Sequence, residues 1–375
     1  MSELTMREAI KLAIAEEMRA DPSVVVFGED VAEAGGVFKV TAGLLEEFGP
    51  DRVRDTPISE TAIIGAAIGA AANGLRPVVE IMFAEFFGVA LDQVVTQAAK
   101  MRYLSAGKLR MPIVMRASAG GGLGFGTQHS QTLESWFMNT PGLTVVSPSG
   151  AASAYGLLRH AIRGEDPVVF LEPRNLYGWK EEFDPGETAI WPLGTARLAR
   201  DGADVTLVAL GQMSRVALNA AATLAERVSC AVIDLGTVRP WDRDTVLASV
   251  RRTGRLVIVE ENPVTGGWGA DVASAVASML HGRLKAPVAR VACPDVPIPS
   301  RWSSAPMSGN AAYCPSRRPF AVSRSCRRSG LALRIAAGSL RARLPTWWCS
   351  IRRLWRTVPH QRNRRRHRLA LSGSW

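Results

Sequence analysis

The run Asp55-Thr-Pro-Ile-Ser-Glu60 leads into a stretch of Gly and Ala that ends at Gly74. Pro57 marks a turn, and the small residues beyond it read as a helix for which Ser59 is a candidate N-cap. Glu60 then enters the first turn, where free N–H groups and the helix dipole favour a carboxylate. Gly65, Gly69 and the alanines give this helix almost no bulk, so it can lie very close to another backbone inside a domain or an interface. A carboxyl at the mouth of such an apolar region can exchange protons near neutrality. The plainer alternative is a capping charge on a close-packed core helix.

A second candidate is His129, in Gln128-His-Ser-Gln131 after the glycine-rich run Ala119–Gly126. The loop contains neither Gly-x-Gly-x-x-Gly nor Gly-Lys-Ser/Thr, so it lacks the specific phosphate-binding patterns. What it offers is an imidazole on a loop, titrating near pH 7. The chain has five histidines and no Cys/His cluster beside His129, which argues against a metal role and leaves a hydrogen-bonded structural histidine as the alternative. Phe86 or Phe87, just past a strand end, could present a flat face to an aromatic ring; core packing is the competing reading.

The elements that must position these residues alternate. Thr5-x-x-Glu8 has the capping-box pattern, followed by Met6, Ile10, Ala13, Ile14 and Met18 at helical spacing, and Asp21-Pro22 ends that helix. Strands are expected at Val24–Phe27, Pro77–Phe83, Pro112–Met115, Leu143–Val146 and Val168–Leu171, with helices at Ala90–Tyr103 and Ala151–Ile162. Residues 173–195 lack periodicity and are rich in Pro and Gly, as in an interdomain linker. A second alternating unit follows, with strands at Val205–Leu210, Cys230–Leu235, Leu256–Glu260 and Val288–Cys293, and helices at Ser214–Arg227, Asp242–Val250 and Trp268–Leu280. The expected fold class is α/β: two domains, each a mainly parallel sheet flanked by helices. The expected division is 1–175 and 196–300 for the domains, 176–195 for the linker, and 301–375 for a tail.

The tail distorts the bulk numbers. The chain of 375 residues carries a net charge of +11, yet residues 301–375 hold 17 Arg and no Lys, Asp or Glu, while residues 1–300 hold 28 basic and 34 acidic groups. The body is mildly acidic. Abundant Arg and Trp without Lys, Asp or Glu is what a GC-rich gene yields when read out of frame, so a frameshifted, non-native ending is the leading expectation. The alternative is a disordered basic arm that binds nucleic acid by phosphate neutralisation through Arg362–Arg368. The five cysteines form no Cys-x-x-Cys pair, no basic-then-apolar leader is evident, and no apolar run could span a bilayer. A cytoplasmic setting with no membrane contact is expected.

In combination the motifs become specific. Gly28-Glu-Asp30, Asp55–Glu60, Asp92-Gln93, Ala98-Ala-Lys100, Gln128–Gln131, Pro141–Pro148 and Pro167–Glu172 occur in this order. So arranged, residues 1–300 resemble the beta subunit of the decarboxylating component of 2-oxo acid dehydrogenase complexes, of pyruvate, branched-chain or acetoin type. The resemblance implies a transketolase-like pyrimidine-binding domain and a transketolase C-terminal-like domain. It also implies an alpha2beta2 heterotetramer with thiamine diphosphate shared between subunits. The alpha subunit would hold the diphosphate and magnesium through Gly-Asp-Gly, a motif absent from this chain. Glu60 matches the glutamate that hydrogen-bonds the pyrimidine ring nitrogen, and Phe86 falls where an aromatic ring lies against the pyrimidine. His129 matches the loop histidine that assists acyl transfer to the lipoyl arm of the transacylase, the second implied partner. Ala161, Gly164 and Asp166 lie where some members bind a structural potassium ion. The second domain would support dimer packing and transacylase docking. Two readings outside this family remain: a nucleic-acid-binding protein acting through its tail, and a lone NAD-dependent oxidoreductase, for which the dinucleotide fingerprint is missing.

Overall fold

The structure, a computed structural model, describes residues 1–121 and 125–295. The readings made for the tail, as a frameshifted ending or a nucleic-acid-binding arm, concern residues outside that range.

The first domain is organised on a seven-stranded sheet. Six strands are parallel, in the spatial order Thr144–Val146, Val168–Pro173, Val114–Ala119, Arg76–Phe83, Val24–Gly28 and Val53–Asp55. The central strands Val168–Pro173 and Val114–Ala119 are buried along their whole length, as a sheet covered by helices on either side requires. The helix Met6–Ala20 is capped as its sequence predicts, with the Thr5 hydroxyl and the Glu8 carboxylate closing the box, and it packs its apolar stripe against the helix Ala151–Arg163. Gly28 ends its strand because a side chain there would meet the Glu80 carbonyl at 2.6 Å.

The second domain has a five-stranded sheet in the order Ala289–Cys293, Leu256–Pro263, Val205–Ala209, Cys230–Asp234 and Arg197–Arg200; the last strand runs antiparallel. Its helices are Gln212–Thr223, Arg243–Thr253 and Gly269–Met279.

Four features depart from the sequence reading. Ser2–Thr5 forms a strand paired antiparallel with Lys180–Phe183, so the stretch expected to be structureless carries a strand and ties back to the N-terminus. The same stretch is anchored to the first domain by Trp191, which is buried, and by Glu187, which accepts from Arg159 and Arg163 at 2.7 Å. The short strand Thr237–Arg239 leaves the second domain and pairs antiparallel with Thr144–Val146, extending the first domain's sheet. Finally, the expected helix at Ala90–Tyr103 contains a π-helical stretch, Gln93–Ala98, before regular α-helix at Ala99–Leu104. Such wide turns arise where an extra residue is accommodated within a helix, and they recur at functional sites.

One apolar cluster runs without a break from Ile63, Ile64 and Phe87 in the first domain to Leu235, Trp241 and Val276 in the second. The two sheets therefore share a core, and the polar groups between them are held in fixed register.

Candidate functional site

Glu60 opens the helix Glu60–Ala72 and is 7% exposed. Ser59 stands at the N-cap position, but its hydroxyl makes no capping hydrogen bond, so the expected side-chain cap is not formed. The helix buries Ile63, Ile64, Ala67, Ile68 and Ala71. Its opposite face, with Thr61, Ala62, Ala66, Gly69 and Ala72, is exposed, and nothing lies within 4 Å of a side chain placed at Gly69. The close backbone approach expected of the small residues is thus not made within this chain.

The carboxyl that feels the repulsion of Glu60 is Glu29. It is buried, its Oε1 has no hydrogen-bond partner, and burial raises its pKa, reinforced by repulsion from Glu60 and Asp30. Asp55 shapes this corner by accepting from the amides of Ala32, at 2.7 Å, and Glu33, at 3.2 Å. Glu29 was present in the Gly28-Glu-Asp30 motif, but its proximity to Glu60 depends on parallel pairing of Val24–Gly28 with Val53–Asp55.

Phe86 and His129 come together. Phe86 lies in the 3₁₀ turn Ala84–Gly88, half-buried, with its ring centroid 5.4 Å from the imidazole in an edge-to-face arrangement. Phe83, the last residue of its strand, sits 4.8 Å from the same imidazole. The His129 Nδ1 is buried and has no partner, an orphaned atom that calls for a ligand or solvent donor or acceptor. Phe87 is fully buried against Phe137, which assigns it to the core and leaves Phe86 as the ring able to meet a ligand. No hydrogen bond or ring contact among the described residues links Glu60 to the Phe86–His129 pair.

A buried arginine that sequence reasoning missed holds the histidine's backbone. Arg174 is 2% exposed, donates to the His129 carbonyl at 2.6 Å and lies 4.8 Å from the centre of the Phe83 ring and 5.0 Å from that of Phe125. Burial lowers its pKa, opposed by the carboxylates of Glu85 and Glu261. A single Arg in an aperiodic Pro173-Arg-Asn stretch carries no local signal of this role.

The residues expected to hold potassium make contacts of their own in this chain. Arg76 Nη1 donates to the carbonyl of Gly164 at 2.6 Å and to that of Ile162 at 3.2 Å. The Ala161 carbonyl accepts from the Gly164 amide at 3.1 Å, and Asp166 is paired with Arg102 at 2.6 Å. An arginine head group therefore supplies positive charge and donors beside these carbonyls.

Other chemistries find little support. Among the described residues no group of three His, Cys, Asp or Glu could hold a metal ion, and no helix is long and apolar enough to cross a membrane. Burial pushes the Cys293 thiol up to about 12 and raises Cys230 as well, so neither is an available thiolate nucleophile at neutral pH.

Comparison with known proteins agrees with this layout. The transketolase pyrimidine-binding domain matches residues 2–180, and the transketolase C-terminal domain matches residues 194–305. The chain is 47% identical over 303 residues to the mitochondrial pyruvate dehydrogenase E1 component subunit beta-1 of Arabidopsis thaliana, covering 79% of this chain and 83% of that one. It is 47% identical over 307 residues to the acetoin:2,6-dichlorophenolindophenol oxidoreductase subunit beta of Cupriavidus necator, covering 79% and 90%. To the 2-oxoisovalerate dehydrogenase subunit beta of Bacillus subtilis it is 42% identical over 298 residues, covering 79% and 91%. Among solved structures, a split-gene transketolase in an inactive beta4 tetramer aligns with a TM-score of 0.65 at 28% identity, over 78% of this chain and 89% of that one. With both domains matched in order and relatives at 42–47% identity across them, the chain belongs to the family of 2-oxo acid dehydrogenase E1 beta subunits.

Proposed function

We propose that the chain is the pyrimidine-binding half of a thiamine diphosphate-dependent 2-oxo acid dehydrogenase, acting on pyruvate or a branched-chain 2-oxo acid with an alpha subunit in an alpha2beta2 assembly. The observation that carries this reading is the family match across both domains in a chain that has no Gly-Asp-Gly. A buried carboxyl, a half-exposed aromatic edge and an imidazole with an orphaned nitrogen fit the pyrimidine side of that cofactor. The exposed small-residue face beside Glu60 supports a site completed by a partner's backbone.

In this reading the alpha subunit holds the diphosphate and magnesium, and the bound cofactor supplies the electron sink for decarboxylation. Glu60 holds and releases a proton at the pyrimidine ring nitrogen. Phe86 fixes the orientation of that ring by stacking. His129, on its loop between the two domains, moves a proton during acyl transfer to a lipoyl-bearing transacylase.

The purified chain alone should be inactive, and addition of its alpha subunit should give cofactor-dependent release of carbon dioxide that Glu60→Gln reduces by about 10²-fold or more. Full activity of the isolated chain would sink the half-site reading. The Cupriavidus relative keeps acetoin as a second substrate reading. Turnover of the assembled enzyme on pyruvate, 2-oxoisovalerate and acetoin separates the two: carbon dioxide release from the first two, cleavage without it from the third.

A further inference from the structure

His129 sits on a segment whose two ends are both held by the second domain. Upstream, the Gly121 amide donates to Glu261 Oε1 at 2.9 Å. Gly120 has φ +93°, and a side chain placed there would meet the same carboxylate at 3.3 Å, so both conformation and space suit glycine. Downstream, Asn262 Nδ2 donates to the Thr132 carbonyl at 3.3 Å and to Glu134 Oε2 at 3.0 Å. Glu261 and Asn262 are consecutive residues of the strand Leu256–Pro263. Further ties come from the first domain: Gly120 N–H to the Gln131 carbonyl at 3.0 Å, Gln131 N–H to Glu85 at 2.6 Å, and Arg174 to the His129 carbonyl at 2.6 Å. Beside these ties, Gln212 accepts from Asn175 at 2.8 Å.

We propose that Glu261 and Asn262 form an interdomain clamp that positions His129 for acyl transfer. The second domain then does more than support assembly: its strand end fixes both approaches to the loop that delivers the imidazole. Glu261 acts as a hydrogen-bond acceptor here, because its partner is the Gly121 backbone amide. Asn262 is suited to its place because one amide group donates to a carbonyl and a carboxyl together. The clamp does not touch Glu60, which belongs to the separate corner with Glu29. Its loss should therefore fall on transfer rather than on decarboxylation. The inference rests on the proposed 2-oxo acid dehydrogenase activity for its catalytic readout.

The test uses the full chain assembled with its alpha subunit. Release of carbon dioxide with an artificial electron acceptor and reductive acylation of a lipoyl domain are measured separately. Glu261→Ala should lower the acylation rate about tenfold or more, since displacement of a catalytic group by about 1 Å can cost up to about 10²-fold, and should leave decarboxylation within about twofold. His129→Ala should lower acylation more than it lowers decarboxylation. Glu261→Gln keeps an acceptor oxygen and should restore acylation. Asn262→Ala serves as the second variant if Glu261→Ala assembles poorly, and should show the same selective loss.

Amide hydrogen exchange of residues 125–134 gives a readout independent of substrate. It should quicken in the alanine variants and stay unchanged in Glu261→Gln. Unchanged exchange in Glu261→Ala, equal loss of both half-reactions, or a Gln variant as defective as the Ala variant would overturn the clamp. Quickened exchange in an unmodified-inactive system, where the parent assembly decarboxylates no 2-oxo acid, would leave the clamp standing and remove the proposed function instead.

Discussion

Glu134 shows how one buried residue writes a pH dependence into the molecule. Burial, with Glu260 and Glu261 adding repulsion, raises its pKa to about 7, although Asn262 donates to it. The native state therefore binds a proton that the unfolded chain releases near pH 4.5. The stability tied to that proton is fully present below about pH 4.5 and is lost as pH rises to about 7. A gap of this size corresponds to at most about 3 kcal/mol. Glu134→Gln carries the amide permanently and should flatten this part of the slope; urea unfolding of both proteins from pH 5 to pH 8 makes the comparison. An identical slope in the two would show that Glu134 is ionised throughout. The residue was legible in the sequence only as a polar position two places after the Gln128–Gln131 motif and Thr132.

At the scale of elements, the parallel sheet of the first domain is crossed by charge. Arg116, 1% exposed in a central strand, bridges Glu172 at 2.7 Å and Glu80 at 3.1 Å, carboxylates of its two neighbouring strands. Tyr177 adds a hydrogen bond to Glu172 at 2.6 Å. Removing the cation leaves two carboxylates buried without their partner, so Arg116→Met should cost about 3–5 kcal/mol in equilibrium unfolding. A loss below about 1 kcal/mol would mean that water or protonation relieves the site. The period-two and period-3.6 patterns located these strands and helices because packing against one core imposes those periods. They did not locate Ser2–Thr5, Lys180–Phe183 or Thr237–Arg239, which are three or four residues long and exist through pairing with distant strands.

At the scale of the whole molecule, Arg76 joins the strand Arg76–Phe83 to the end of the helix Ala151–Arg163. It does so by bonding the carbonyls of Ile162 and Gly164 and the carboxylate of Glu165. The chain should accordingly melt at the same temperature in KCl and NaCl of equal ionic strength. Arg76→Met should lower stability by about 1–3 kcal/mol through the carbonyls it orphans. Selective stabilisation by KCl would show that a cation binds there after all. The ending of the chain is a separate matter. Curated relatives align over 79% of this chain, and the C-terminal domain match stops at residue 305, close to where acidic residues and lysine cease. A shifted reading frame is tested by translating the resequenced gene across codon 300: if it holds, another frame should show acidic residues and a terminal helix. A single open Arg-rich frame would make the tail genuine.

By itself the sequence determined the alternation of strands and helices, the cap at Thr5, the entry of Glu60 into its helix and the order of motifs that marks the family. These are local facts, set by backbone propensity and by the repeat of apolar residues within one or two turns. Only the tertiary structure decided that Phe86 meets His129, that Glu29 feels the repulsion of Glu60, and that Arg174, Glu261 and Asn262 converge on one loop. It likewise put Arg76 where a potassium ion was expected and left the small-residue face of Glu60–Ala72 open. Each of these depends on single residues far apart in the chain, and a lone polar side chain has no period to announce it. Its partner is chosen by how the sheets register and how the domains share a core.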